Sequence, residues 1–286
     1  MGQTKQMTSA IFEKPLFGAS IKVIIYNMDE GIAKGVFEKM YKEALRLQKI
    51  FNFFDPQSEL SSLNRRRKMQ VSPELLEVIK RSLKMSEMTS GKYDVSLGRR
   101  IIQRKKGLEE EEPDCSYMDI VIKGNSVSLE NPDAMIDLGS IAKGCMTDRL
   151  GDLLKKEGVE EFLIDSRGDL LFSGGFIHII GVQHPREKGR NFCQVKISDC
   201  GVATSGDYRQ YKGSFDKSHI LNSRDIISVT VIARTVEEAD MLTTAIFVAD
   251  NRQIGNIMKK HKDSSALVIR KNMASEQYND FRRFII

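Results

Sequence analysis

After residue 160 the sequence turns almost wholly to β-type segments. Runs rich in branched and aromatic residues fall at 162–175, 177–182, 193–198, 227–233 and 265–270, and one strong helical pattern, "TVEEADMLTTAIFVAD", lies between the last two. The first half differs. A β-type run, "FGASIKVIIYN" (17–27), precedes a helical stretch over 32–51 that puts Val36, Met40, Ala44 and Leu47 on one face, with Asp29 near its start. A doubly wound parallel sheet needs strands and helices in strict alternation. This order breaks that rule, so the expected class is α+β, with mixed or antiparallel sheets and packed helices.

Local signals fill in the first half. Ser72-Pro73 opens a second helix as N-cap and first helical residue, with Gly91 as its stop signal. "FFDPQSELSSLNR" (53–65), with its Asp-Pro and serines, reads as a polar loop. "DIVIKGNSVSLE" (119–130) reads as a hairpin turning on Gly124-Asn125. The block "RRIIQRKKGLEEEEPDC" after Leu97 and Gly98 reads as a solvated, mobile charged segment or a short charged helix.

Composition excludes several classes. A net charge of +5 on 286 residues suits a polyanionic ligand such as a nucleotide but falls short of a basic nucleic-acid-binding stripe. The run Arg65 to Lys68 is therefore read first as a solvated basic patch. No apolar run approaches the ~18 residues of a membrane span. The N-terminus lacks a basic-then-apolar signal, so the chain as written is expected in the cytosol; an exported protein with its leader removed would present the same sequence. Cys115, Cys145, Cys193 and Cys200 form no C-x-x-C pair and no metal-ligand spacing, and reduced thiols are expected.

Four stretches carry candidate chemistry. "AMIDLGSIAKGCMTDRL" (134–150) is a short apolar run, a glycine turn and a helix start, which presents backbone N–H groups to a phosphate or simply turns a corner. It lacks both the Walker A order and the Gly-x-Gly of a dinucleotide fold. In "RTVEEADMLTTAIF", Thr235 and Glu238 have capping-box spacing, and Ala239, Leu242, Thr243 and Ile246 form the stripe to be buried. Asp240 and Thr244, four residues apart, lie along one face: hard oxygens suited to Mg²⁺, or a solvated acid favoured by the helix dipole. "CGVATSGDYRQY" (200–211) offers Thr204, Ser205 and Gly206 as a phosphate-binding or plain turn, and "SHILN" (218–222) holds one of four histidines.

In order along the chain these segments resemble the ApbE family of FAD:protein FMN transferases, from about Phe17 to Asp250. "FFDPQSELSSLN" is similar to the family's aromatic-Asp-Pro loop, "GKYDVSLG" to its Gly-x-aromatic-Asp segment, and "IDLGSIAKG" to its central motif. "SRGDLLFSG" stands where the family has a Gly-Gly-Asp turn, while "VATSGDY", "SHILN" and "EADMLTTAIFV" resemble its later motifs. The resemblance implies an ApbE-like, T-fold-related α+β enzyme over 1–286, as one catalytic unit or as two lobes with the FAD site between them, with 99–119 as a charged mobile segment. It implies Mg²⁺ held by Asp240, Thr244 and the Ala142 carbonyl. Flavin and adenine contacts would fall on Phe17, Phe54, Lys92, Tyr93, Asp94, Gly139, Cys145 and Leu221, with Thr204 and Ser205 beside them.

The implied reaction moves the FMN moiety of FAD onto a threonine or serine of a partner flavoprotein and releases AMP. His219 is the implied base, Asp240 the catalytic metal ligand, Asp137 an organiser of the central loop and Lys143 an offset to phosphate charge. The chain departs from the family pattern at Asn222-Ser223-Arg224-Asp225 after His219, at Arg167, and at Phe54 and Cys145, where tyrosine is frequent. The same residues would also serve an FAD pyrophosphatase that gives FMN to water, or a non-catalytic FAD-binding protein. Neither a nucleic-acid partner nor a membrane span is expected.

Overall fold

A computed structural model of the chain describes residues 8–109, 111, 113–207 and 225–286. Its centre is an eight-stranded sheet in which every neighbouring pair is antiparallel. In sheet order the strands are β1 (Ser9–Leu16), β2 (Ala19–Tyr26), β6 (Phe162–Ser166), β7 (Asp169–Ser173), β10 (Gly201–Gly206), β11 (Ile226–Ala233), β12 (Ser265–Arg270) and β13 (Ser275–Tyr278). A three-stranded sheet joins β3 (Lys68–Gln70), β5 (Ser126–Leu129) and β4 (Ile120–Lys123), and β8 (His178–Gln183) pairs with β9 (Asn191–Ile197). The α+β class and antiparallel sheets follow the reading of the sequence.

Among the described residues seven helices pack around these strands: α1 (Glu30–Phe51), α2 (Glu59–Arg66), α3 (Pro73–Met88), α4 (Gly98–Lys106), α5 (Ala142–Lys156), α6 (Val236–Val248) and α7 (Asn251–Lys260). The sheet has a core on each face. One joins β2, β6 and β11 to α1, α5 and α6; the other covers Phe172, Ile227 and Leu267 with β9 and a short 3-10 turn at Phe281. Strand β11, between the two cores, is buried at all eight positions. Among the described residues no helix is long and apolar enough to cross a membrane.

The local caps form as their residues dictate. Asp29 accepts from the Gly31 and Ile32 N–H groups to start α1, and Val36, Met40, Ala44 and Leu47 are buried. Ser72 caps α3 with Pro73 inside it, and Gly124 turns the β4–β5 hairpin at φ +62°. All four cysteines are free thiols.

Several expectations need correction. The polar loop at 53–65 contains α2, because Ser58 caps it and Leu60 and Leu63 are fully buried. The single β-type run at 162–175 is a hairpin, β6–β7, and 201–206 is strand β10 rather than a turn. The charged block needs no correction at its start, since it opens as helix α4, the second of its two expected forms. The capping box of α6 is only half built: Thr235 accepts from the Glu238 N–H, but the Glu238 carboxylate bonds the His261 ring at 2.7 Å instead. Arg67, inside the basic run, is the left-handed C-cap of α2, and its guanidinium donates to the carbonyls of Leu129, Asn131 and Ala134.

Candidate active site

The site is built where α5 and α6 cross. A Cβ on Gly144 would stand 2.6 Å from both the Glu237 Cα and the Val236 carbonyl, so only glycine lets the two helices approach this closely. Helix α5 has no side-chain cap of its own. Asp240, on α6 and 4% exposed, supplies the anion instead: its Oδ2 accepts from the Gly144 N–H at 3.3 Å. The crossing is reciprocal. Asp148, on α5, accepts from the Val236 and Glu237 N–H groups at 2.8 Å each and so holds the first turn of α6.

Lys143 joins the third element. Its Nζ lies 3.1 Å from both oxygens of Asp240 and also donates to Asp169. Asp169 starts β7, directly after the Arg167-Gly168 turn, whose residues sit at φ +61° and +91°. Burial opposes the charge on Lys143, but the carboxylates of Asp169 and Asp240 outweigh it and hold the ammonium above the ordinary lysine range. From β10, Ser205 reaches Thr243 at 2.9 Å. Thr243 spends its proton on the Asp240 carbonyl, 2.7 Å away, so Ser205 is the donor to Thr243 and offers lone pairs elsewhere.

The other walls come from the first half of the chain. Phe17 occupies the β1–β2 turn, and Phe51, Asn52, Phe53 and Phe54 follow from the end of α1. Tyr93 bonds the Ser140 hydroxyl at 2.7 Å, and burial pushes its phenol up. Burial also raises Asp94, against hydrogen bonds from Ser96 and the Tyr117 N–H. The Lys92 ammonium is turned toward Asp250, at 2.7 Å, and Gln253 at the start of α7. Gly139 donates to Asp137 at 3.1 Å, a tight turn of the central motif.

Many of these groups line one cavity of about 520 Å³. Of the residues singled out from sequence, Phe17, Phe54, Lys92, Tyr93, Asp94, Gly139, Ala142, Thr204, Ser205, Asp240 and Thr244 all lie on its wall, with Asp137 and Lys143. Cys145 does not. One residue beyond Gly144, it points into the core beside Arg149 and Glu237, where burial pushes its thiol up to about 12. His219 and Leu221 lie outside the described residues.

The ApbE family model matches residues 17–269. The chain belongs to the ApbE family. An FAD:protein FMN transferase of Vibrio cholerae is 25% identical over 261 residues, covering 80% of this chain and 78% of that one. One of Klebsiella pneumoniae is 22% identical and covers 98% and 90%. Among solved structures, an ApbE protein of Thermotoga maritima superposes with a TM-score of 0.85 at 24% identity, covering 97% of this chain and 99% of that one. The flavin transferase ApbE of Vibrio cholerae gives 0.81 at 22%, covering 98% and 100%. The shared architecture is thus an ApbE fold.

Within this ApbE chain the donor set can be weighed for a divalent cation. Among the described residues no group of three or more His, Cys, Asp or Glu side chains converges as ligands. The expected set needs only one carboxylate, with a hydroxyl and a carbonyl, all hard oxygens that suit Mg²⁺ and leave room for water and phosphate oxygens. The described lining carries four aspartates, Asp94, Asp137, Asp169 and Asp240, against Lys92, Lys143 and Arg167. A pyrophosphate entering that wall needs added positive charge, and the donor set fits a cation that brings it.

The sequence marked the Arg167-Gly168-Asp169 turn without giving Arg167 or Asp169 a role, and passed over Asn52 on the cavity wall and Asp148 behind it. Asp169 had a usable signal, since it follows the turn at Arg167-Gly168. Asp148 had none: its role depends on a helix start 88 residues away.

Proposed function

We propose that the protein is a divalent-metal-dependent FAD:protein FMN transferase. It would attach FMN through a phosphoester to a threonine or serine of a partner flavoprotein and release AMP. The single observation behind this reading is the convergence of aromatic walls, the central glycine turn and the Asp240–Thr244 face on one cavity. The transferase names of the relatives agree with it.

In this reading the acceptor hydroxyl oxygen attacks the FMN phosphorus, a new O–P bond forms, and the bond to the bridging oxygen of the pyrophosphate breaks. AMP departs with that oxygen, and the hydroxyl proton passes to a base, proposed as His219. Asp240, Thr244 and the Ala142 carbonyl would hold Mg²⁺, which supplies positive charge to the phosphoryl oxygens. The Ala142 carbonyl, at the first residue of α5, has a second lone pair beyond its helical bond. The Lys143 ammonium, already drawn to two carboxylates, pairs with Asp240 and adds charge beside the phosphates. Phe17 and Phe54 offer faces for stacking the flat rings. Ser205 would accept from a ligand hydroxyl or amino group, since its proton is committed to Thr243.

The test is incubation with FAD, Mg²⁺ and an acceptor carrying a threonine motif, followed by intact mass. A gain of one FMN on the acceptor with AMP in solution supports transfer. AMP and FMN with an unmodified acceptor would replace the reading with FAD hydrolysis, and bound, unchanged FAD would replace it with a carrier.

A further inference from the structure

The Phe17 turn has an unusual backbone. The β1–β2 hairpin closes through Phe17 at φ +49° and Gly18 at φ +71°. A two-residue turn with both residues left-handed favours Asn-Gly, and a bulky aromatic at the first position stores backbone strain. Such strain persists where surrounding contacts enforce it. Here the enforcing contact comes from 31 residues away: the Phe17 N–H donates to the Gln48 Oε1 at 2.6 Å.

Gln48 also fixes the opposite aromatic segment. Its backbone carbonyl accepts from the Asn52 N–H at 2.9 Å, closing α1. The Asn52 side chain then accepts from the Phe54 N–H at 3.1 Å, and the Ser61 hydroxyl on α2 donates to the Phe53 carbonyl at 3.1 Å. Phe54 stands edge-on to Phe53, 5.1 Å between ring centres, yet remains 54% exposed. Gln48 itself does not line the cavity, whereas Phe17 and Phe54 do.

We propose that Gln48 is a positioning residue that sets the aromatic end of the cavity. Through its side chain and its carbonyl it holds the Phe17 turn and the Phe51–Phe54 segment in fixed relation, for binding a flat heteroaromatic ring of the dinucleotide. The proposal rests on the reading of the cavity as an FAD site.

Two substitutions separate the acceptor from the bulk. Gln48→Leu removes the oxygen and keeps the size; Gln48→Glu keeps an oxygen at the same reach. FAD, FMN and AMP are titrated separately into each full-length protein, with flavin fluorescence for the first two and calorimetry for AMP. Gln48→Leu should weaken FAD by about five- to tenfold, raise KM and leave kcat within about twofold, and Gln48→Glu should restore wild-type binding. Whichever of FMN and AMP weakens in step identifies the ring. Phe17→Asn gives the turn its preferred pair, so thermal stability should hold or rise while ring affinity falls, and this arm decides the matter if Gln48→Leu does not fold. Wild-type affinities in Gln48→Leu or Phe17→Asn, or no recovery in Gln48→Glu, overturn the proposal. Failure of the wild-type protein to bind FAD, FMN or AMP instead removes the cavity reading beneath it.

Discussion

The two sides of the α5–α6 crossing use the same device to different ends. Asp240 and Asp148 each reach from one helix to the N–H groups that start the other. Asp240 faces the cavity with the Lys143 ammonium on both its oxygens. Asp148 faces Glu237 and Asp152, and burial pushes its carboxyl up to about 7. A carboxylate at a helix start is stabilised by the dipole on either side, so the dipole is not what separates them. The cation is. One aspartate is paired with an ammonium at a cavity, while the other serves as a structural clasp whose charge is disfavoured.

The largest break in that comparison should come from Asp240→Ala. Metal-dependent turnover in the transfer assay should fall by about a hundredfold or more, since a ligand for several kcal/mol of charge stabilisation is removed. Full activity in that variant would end the assignment of this side as the working one.

The clasp side predicts a pH effect. The Asp148 carboxyl titrates near 7 in the fold and about 3.9 when unfolded. Between those values the folded protein binds the extra proton, so stability should decline as pH rises from about 4 to about 7, by on the order of 1 kcal/mol per pH unit from this group. Above 7 its contribution should be flat. Urea melts across the window should show the slope in the wild type and a shallower one in Asp148→Asn; equal slopes would contradict the assignment.

Gly144→Ala strikes both sides at once. The added methyl meets backbone at 2.6 Å, and an overpacked crossing should cost about 1–3 kcal/mol in a denaturant melt, with activity declining alongside. Thr235→Ala should have the smallest effect, about 1 kcal/mol, because Asp148 already satisfies the Val236 and Glu237 N–H groups and only the Glu238 N–H is released.

Much of the fold was legible because its signals are short-range. Asp29, Ser72-Pro73, Gly124-Asn125 and Thr235 act on groups within a few residues, and each does what its type implies. The elements that escaped carry weaker or masked signals. Strand β1 alternates but contains Pro15, and α2 is only eight residues long and mostly polar. The split of 162–175 into β6 and β7 turns on two residues, Arg167 and Gly168, a left-handed turn inside a run that reads as β-type on both sides.

The candidate site divides the same way. Residue types and spacing alone determined that Asp240 and Thr244 share a face and that 139–144 turns tightly into a helix. They also set the class of fold, through the order of β-type and helical runs. Tertiary structure alone decided that Asp240 meets Lys143 and the start of α5, that Asp169 joins them, and that Cys145 turns inward while its neighbours line the cavity. Local periodicity fixes which side of an element a residue takes. Charge balance and close approach depend on what another part of the chain brings to that side, and Gly144 lets two helix starts, some 90 residues apart, come within reach of each other's carboxylates.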